Sequence, residues 1–174
     1  MLLLTKIRLL IIFFIVALIL SGITAFPVET ELKWLLSNKH LIPDAFEPWL
    51  ITVYEGLKET NEKYPMLAYG FDWLAFAHIV IAMAFLGPLV DPLKNKWIID
   101  WAILACFAIL PLAFIAGPIR QIPMFHILID CSFGIIGLIP LVLCRTWIRK
   151  LECLQLQVIV KDDVIIARQD KINV

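Results

Sequence analysis

Five side chains in or beside long apolar runs have the chemistry of a functional site. They are Asp72, His78, Arg120, His126 and Asp130. An ionisable group inside an apolar span is costly, so it usually faces the interior of a helix bundle and marks a functional position. His126 and Asp130 are four residues apart, which places them on one face of a helix. We take these five residues as the candidate polar site.

Two imidazoles and a carboxylate allow several kinds of site. His78, His126 and Asp130, with Asp72 as a further ligand, could bind a divalent metal ion such as zinc or iron. Asp130 could instead orient His78 as a general base or as half of a proton-transfer pair. The two histidines could also bind a haem, which their different predicted depths disfavour. A purely structural His–Asp contact is the remaining alternative, because interhelical hydrogen bonds stabilise membrane bundles modestly.

Arg120 adds a positive charge close to the same predicted surface. It lies in the short loop that ends at Pro123. Its guanidinium could bind an anionic substrate or lipid headgroup through a bidentate contact. It could equally pair with Asp72, or with Glu29 or Glu31 just beyond the first apolar run. Both roles remain open from the sequence.

The composition predicts the elements that position these residues. The 174 residues are 61% hydrophobic and 17% charged, whereas a soluble domain has roughly 45–50% and about 25%. Four runs reach the length of about 20 residues that crosses the hydrocarbon core. Backbone exposed to lipid must satisfy its own hydrogen bonds, so these runs are interpreted as helices. We predict an all-α membrane protein in the lipid bilayer, with spans at about residues 7–25, 72–90, 97–116 and 124–144.

The first run has a second interpretation, as a cleaved signal peptide, because Lys6 and Arg8 precede its apolar core. Cleavage after Ala25 would require a small residue two places earlier, and Ile23 stands there. We therefore expect an uncleaved anchor.

The distribution of basic residues predicts the orientation. Lys and Arg concentrate on the cytoplasmic side of membrane proteins. Basic residues occur at three places: at the start of the first span, between the second and third spans, and after the fourth span. They are Lys6, Arg8, Lys94, Lys96, Arg145, Arg149 and Lys150. With four spans, all three places lie on the same side of the membrane. We expect both termini in the cytoplasm and the acidic segment 26–71 outside, in the inner (cytoplasmic) membrane of a bacterium.

The segments outside the spans also carry patterns. Apolar residues at helical spacing predict two short amphipathic helices, at about residues 30–38 and 48–63, as a small extracytoplasmic cap or lid. The tail, residues 151–174, alternates apolar and polar residues around a Lys-Asp-Asp segment, which predicts a short cytoplasmic β-hairpin. Residues 1–150, including segment 26–71, then form the transmembrane domain.

Two other groups near the span ends have expected structural roles. Asp100, near the start of the third span, is expected to pair with a lysine of the preceding turn or with an N-terminal amide. Three cysteines lie in or at the ends of apolar runs and are expected to act as small buried hydrophobic residues. They are Cys106, Cys131 and Cys144.

The topology predicts that the polar residues converge. The second and fourth spans run in the same direction, and a helix rises 1.5 Å per residue, so His78 lies about 9 Å below Asp72 and Asp130 about 9 Å below Met124. His78 and Asp130 are expected at similar depth, with Asp72 and His126 nearer the outer surface. Asp72 and His78 are about 120° apart around their helix. Both can face one partner only if the helix is frayed at Asp72.

The chain carries no phosphate-binding loop, nucleophile elbow, HExxH or dinucleotide motif. It also has no basic block or nucleic-acid-binding motif, so nucleic acid is not an expected partner. The runs DWLAFAH (residues 72–78), GPIR (117–120) and IDCSFG (129–134) resemble a family of uncharacterised bacterial four-span membrane proteins. The resemblance covers about residues 71–145. It implies the four-span fold and no activity.

Two classes of function fit the sequence. The first is a small membrane protein with an outward-facing His/Asp site, either metal-binding or a metal-dependent enzyme, that uses His78, His126 and Asp130. The second is a non-enzymatic subunit or assembly factor of a membrane complex, or a homo-oligomer. The residues name no cofactor outright, and they favour a divalent metal ion over haem.

Overall fold

The computed structural model describes residues 2–172, with side chains for residues 2–161. The described chain consists of helices joined by short turns. The helices are α1 (Leu2–Ala25), α2 (Val28–Ser37), α3 (Glu47–Lys63), α4 (Pro65–Ala84), α5 (Leu86–Val90), α6 (Lys96–Ile119) and α7 (Met124–Ile172). A short 3-10 turn, Lys39–Leu41, lies between α2 and α3.

Four helical segments of the described chain are long and apolar enough to cross a membrane. They are Leu2–Ala25, Pro65–Val90, Lys96–Ile119 and Met124–Lys161. Each contains one of the predicted spans. Large apolar side chains such as Leu104, Phe133 and Ile136 are exposed along them, which suits contact with lipid tails. The prediction of four membrane-crossing helices is therefore confirmed in length and composition.

Proline residues set two helix boundaries in the second span. Pro65 is the first residue of α4, where its missing N–H would have no helical partner in any case. Pro88 cannot donate a hydrogen bond to the carbonyl of Ala84, and its ring collides with that carbonyl in a regular helix. The helix is accordingly interrupted at Phe85, between α4 and α5.

The chain divides into two compact units. The hairpin unit contains residues 2–13 of α1 together with the described chain from Phe85 onward, and α6 and α7 form its centre. Neighbouring residues run in opposite order along these two helices: Gly117 with Ile127, Cys106 with Gly134, Asp100 with Arg145, and Lys96 with Glu152. The two helices are therefore antiparallel. Cys106, Cys131 and Cys144 are buried as expected, whereas Cys153 is exposed.

The first residues of α1 are anchored to the hairpin unit by Arg8. Its guanidinium donates hydrogen bonds to the carbonyl oxygens of Leu89 (3.1 Å) and Val90 (3.2 Å). These carbonyls end α5 and have no partner within that helix, so a cation there also complements the helix dipole. Lys6 Nζ lies 5.9 Å from the centroid of the Trp147 ring. The basic start of α1 thus lies beside the end of α5 and beside α7.

The cap unit, Phe14–Ala84, contains the rest of α1 with α2, α3 and α4. Gly22 brings α1 close to α4, because a Cβ at that position would lie 2.8 Å from the carbonyl oxygen of Ala75. Asn61 of α3 donates a hydrogen bond to Glu29 of α2. Helices α2 and α3 therefore match the two short helices predicted between the first two spans, and their role as an extracytoplasmic cap stays a prediction.

An intrahelical ion pair stabilises the end of α3. Lys63 Nζ donates a hydrogen bond to Glu59 Oε1 over 2.7 Å. This hydrogen bond, with the charge of Lys63, lowers the pKa of the Glu59 carboxyl. The same hydrogen bond and the charge of Glu59 raise the pKa of Lys63. The pair lies on the solvated side of α3, where such pairs add little stability.

The predicted β-hairpin in the tail is wrong. The described residues from 151 to 172 continue α7 as one helix from Met124 to Ile172. The Lys-Asp-Asp segment lacks the glycine or asparagine that a two-residue hairpin turn requires. Extending an existing helix adds one hydrogen bond per residue without a new nucleation step. Helix propagation therefore outweighs the weak strand preference of the Val and Ile residues.

Candidate functional site

The five candidate residues divide between the two units. Asp72 and His78 lie on α4 in the cap unit. Arg120 follows the last residue of α6, and His126 and Asp130 lie in the first turns of α7, all in the hairpin unit. The convergence of His78 with Asp130 stays a prediction.

His78 lines a pocket of about 220 Å³ inside the cap unit. The other residues that line it are apolar: Ala25, Val28, Leu57, Phe71, Leu74 and Ala75. They come from the end of α1, the start of α2, the middle of α3 and the middle of α4. The two cap helices thus form walls of the pocket, and His78 is the one ionisable residue among the described residues that line it.

The hydrogen bond that the His78 ring makes determines which ring nitrogen is free to accept another hydrogen bond. Nδ1 lies 3.0 Å from the carbonyl oxygen of Leu74, one helical turn earlier. A carbonyl can only accept, so Nδ1 carries the proton that is donated. In the neutral ring, Nε2 then has a lone pair. That nitrogen can accept a hydrogen bond.

Asp72 lines a different pocket, of about 260 Å³. Its other walls are aromatic: Phe26, Tyr69, Trp73 and Phe76. The two residues therefore do not share a cavity, as expected from their angular separation of about 120° on one helix. The arrangement of Asp72 and His78 around a single ligand is not found in the cap unit.

His126 and Asp130 form the pair that their spacing predicted. Nε2 of His126 lies 3.9 Å from Oδ1 of Asp130, and the two side chains are 40% and 48% exposed. This separation is too long for a direct hydrogen bond. The ring of His126 also meets the ring of Phe125 edge-on, with their centroids 6.5 Å apart. The pair therefore presents an imidazole and a carboxylate at the surface of an apolar helix.

Arg120 is exposed at the end of α6. Its backbone N–H donates to the carbonyl oxygens of Ala116 and Gly117, and the following residue, Gln121, has a left-handed φ of 57°. Asp72, Glu29 and Glu31 belong to the other unit, so the pairings expected for the guanidinium stay predictions.

The predicted metal site receives no support. In residues 2–161, no group of three or more His, Cys, Asp or Glu side chains is arranged so that it could hold a metal ion. A metal site that uses His78, His126 and Asp130 stays a prediction, since His78 lies in one unit and the other two residues in the other.

The sequence reasoning missed an interhelical ion pair. Asp100 of α6 pairs with Arg145 of α7, and not with a lysine of the preceding turn. Lys96 pairs with Glu152 over 2.7 Å. The signal that could have revealed both pairs was the antiparallel register of α6 and α7. That register follows from the short loop between them and places residues 96–100 opposite residues 145–152.

A third cavity, of about 460 Å³, lies in the hairpin unit between the start of α1 and α7. Arg149 and Lys150 line it together with Cys153 and apolar Leu3 and Leu154. It lies at the basic end of this unit.

Comparison with protein-family models, with curated proteins and with solved structures gave no match.

Proposed function

We propose that this protein is a multi-pass membrane protein that binds a small, largely apolar molecule in the pocket lined by His78. The observation that supports it is a single imidazole in an otherwise apolar cavity. Ligand sites are typically concave and apolar, with a few polar groups that fix orientation and specificity. An ionisable residue inside a membrane span is itself expected to have a functional role.

The chemistry of the pocket favours binding over catalysis. General acid–base catalysis requires a second group that accepts or supplies the proton in a productive geometry. His78 has no carboxylate or second imidazole among the described residues that line its pocket. The ligand is therefore apolar over most of its surface and carries one hydroxyl or amide that donates a hydrogen bond to Nε2.

The first test compares two probes that differ by one hydroxyl, 2-naphthol and naphthalene. Empty maltoside micelles take up the two probes in some ratio. With the native protein present, the ratio of bound 2-naphthol to bound naphthalene should be about tenfold higher, because one hydrogen bond contributes about that factor. His78→Leu should abolish this preference while naphthalene binding persists. Equilibrium dialysis against empty micelles measures both.

His40→Leu is the matched control, because His40 lies in the exposed 3-10 turn outside the pocket. It should retain the preference for 2-naphthol. If His78→Leu also retains it, His78 does not provide the hydrogen bond and the proposal fails.

A second function, as a subunit of a membrane complex, is favoured by the His126–Asp130 pair. Both side chains remain partly exposed on an apolar helix, and charged or polar groups exposed to lipid are costly. A polar transmembrane helix from another polypeptide would cover them. The preparations made for dialysis distinguish the two functions, because a subunit would be recovered with a stoichiometric partner and would lack the naphthol preference.

The proposed orientation has both termini in the cytoplasm and the cap helices outside. It is supported by the basic residues that the hairpin unit gathers at one end. There Arg8 contacts the end of α5, Lys6 lies against Trp147, and Lys96 pairs with Glu152. The positive-inside rule assigns this end to the cytoplasm.

Cys153 provides a test of this orientation, because it is exposed and the other three cysteines are buried. A membrane-impermeant maleimide should label inverted vesicles and leave intact spheroplasts unlabelled. Cys153→Ser should lose the label in inverted vesicles. Labelling of intact spheroplasts at Cys153 would reverse the proposed topology.

A further inference from the structure

The last part of α7 extends beyond the packed helices of the hairpin unit. Lys96 is the first residue of α6 and pairs with Glu152, so α7 runs past the start of α6 after that residue. The helix continues to Ile172. Helices in proteins gain most of their stability from packing an apolar face against other elements. A partner that packs on this extension would therefore stabilise it.

An apolar seam follows the extension at heptad spacing. Leu151, Leu154 and Val158 are separated by three and four residues, as are the a, d and a positions of a coiled coil. In the sequence, Ile165 and Ile172 follow Val158 at intervals of seven residues. Leu151 is partly buried, whereas Leu154 and Val158 are 53% and 59% exposed. The seam is thus covered at its start and open where α7 leaves the unit.

We propose that a second copy of this chain covers the seam, so that two α7 extensions form a parallel coiled coil. This proposal does not depend on the ligand pocket of His78. Copies of one membrane protein share one orientation, so their α7 helices leave the membrane on the same side and run parallel. A β-branched residue at an a position with leucine at a d position favours two strands. Val158 and Leu154 have these identities at neighbouring a and d positions.

The charges beside the seam permit contact between identical helices. In a symmetric dimer each patch meets its own copy, so a charged patch would repel itself. The flanking e and g positions are Gln155 and Gln157, and residues 153–160 carry no charge. Lys161 and Arg168 hold the next d positions. Long basic side chains can pack their stems against apolar surface while their charged ends reach water.

The first test compares two faces of the same helix. With about 3.6 residues per turn, Leu156 lies opposite the seam, and it is 57% exposed. Leu154→Glu and Val158→Glu should each raise the dissociation constant of the dimer by about a hundredfold, because each removes an apolar side chain from both copies. Leu156→Glu is the matched control and should stay within about twofold of the native value. Sedimentation equilibrium of the purified protein in maltoside micelles measures all three.

Oxidative cross-linking with copper phenanthroline locates the contact. Cys153→Ser serves as the background, because Cys153 is the exposed native cysteine. In that background Val158→Cys should form a disulfide between two chains, since a positions of parallel helices face each other, and Leu156→Cys should not. Circular dichroism verifies that every variant is folded. A native protein that is monomeric at micromolar concentration, equal dissociation constants for Leu154→Glu and Leu156→Glu, or cross-linking of Leu156→Cys in place of Val158→Cys would each overturn the proposal.

Discussion

Replacing Asp100 with asparagine should lower the free energy of unfolding by about 3 kcal/mol, the scale for a buried charge that loses its partner. Arg145 Nε donates to Oδ1 of Asp100, and the Arg145 side chain is only 16% exposed. Its Nη1 is buried with no hydrogen-bond partner among the described residues. Among the described residues, Asp100 is the carboxylate that this guanidinium contacts directly. Its removal leaves a desolvated positive charge between α6 and α7.

The control is the other ion pair between the same two helices. Lys96 and Glu152 are 2.7 Å apart, but their side chains are 38% and 40% exposed. Water can therefore solvate either charge alone, and Glu152→Gln should cost less than about 1 kcal/mol. Unfolding in mixed SDS and maltoside micelles, followed by circular dichroism, measures both variants.

A double variant separates the charge effect from a packing effect. Asp100→Leu combined with Arg145→Leu removes both charges and should recover most of the lost stability, because no uncompensated ion remains. Equal losses of stability for Asp100→Asn and Glu152→Gln would mean that the Arg145 guanidinium is not desolvated between α6 and α7.

The second large effect is expected at Gly134, where α7 packs closely against the backbone of α6. A Cβ at Gly134 would lie 2.9 Å from the carbonyl oxygen of Cys106 and 3.4 Å from Cβ of Ile109. The closest atom belongs to the backbone, so it cannot move aside without shifting a helix. Gly134→Ala should therefore lower the free energy of unfolding by about 2 kcal/mol, as overpacking of a tight contact does.

Gly70→Ala provides the opposite expectation in another span. An added Cβ there meets nothing within 4 Å, and alanine favours a helix over glycine by about 0.5–1 kcal/mol. The same unfolding assay should show a small gain in stability for Gly70→Ala and a loss for Gly134→Ala. A gain at both positions would mean that α6 and α7 are not in close contact at Gly134.

Much of the helical architecture followed from the sequence, because few backbone structures are stable in the hydrocarbon core of a membrane. Length and hydropathy alone located the four spans. In a single apolar segment, the helix is the regular structure that satisfies all the backbone hydrogen-bonding groups. The cap helices followed from apolar residues at helical spacing. The tail was misjudged because alternation over a few residues is a weak signal beside the propagation of a helix that has already formed.

The candidate sites were harder to predict, since they depend on which helix faces meet. The chemistry of Asp72 and His78 was visible in the sequence, but their surroundings were not. Phe26 and Val28 follow α1 by a few residues, and only packing shows that they line two different pockets. The partner of Asp100 was missed for a related reason. A local rule favoured nearby lysines, whereas the antiparallel register supplied Arg145, 45 residues away.

The hydrogen bonds of Arg8 have a consequence for how the protein is made. They join residues 81 and 82 positions apart in the chain. At a synthesis rate of about 5–20 residues per second, α1 waits roughly 4–16 s before its acceptor carbonyls leave the ribosome. During that interval the first helix is already in the membrane with its guanidinium unmatched. The insertion machinery, or the phosphate headgroups of the bilayer, must accommodate Arg8 until α5 emerges.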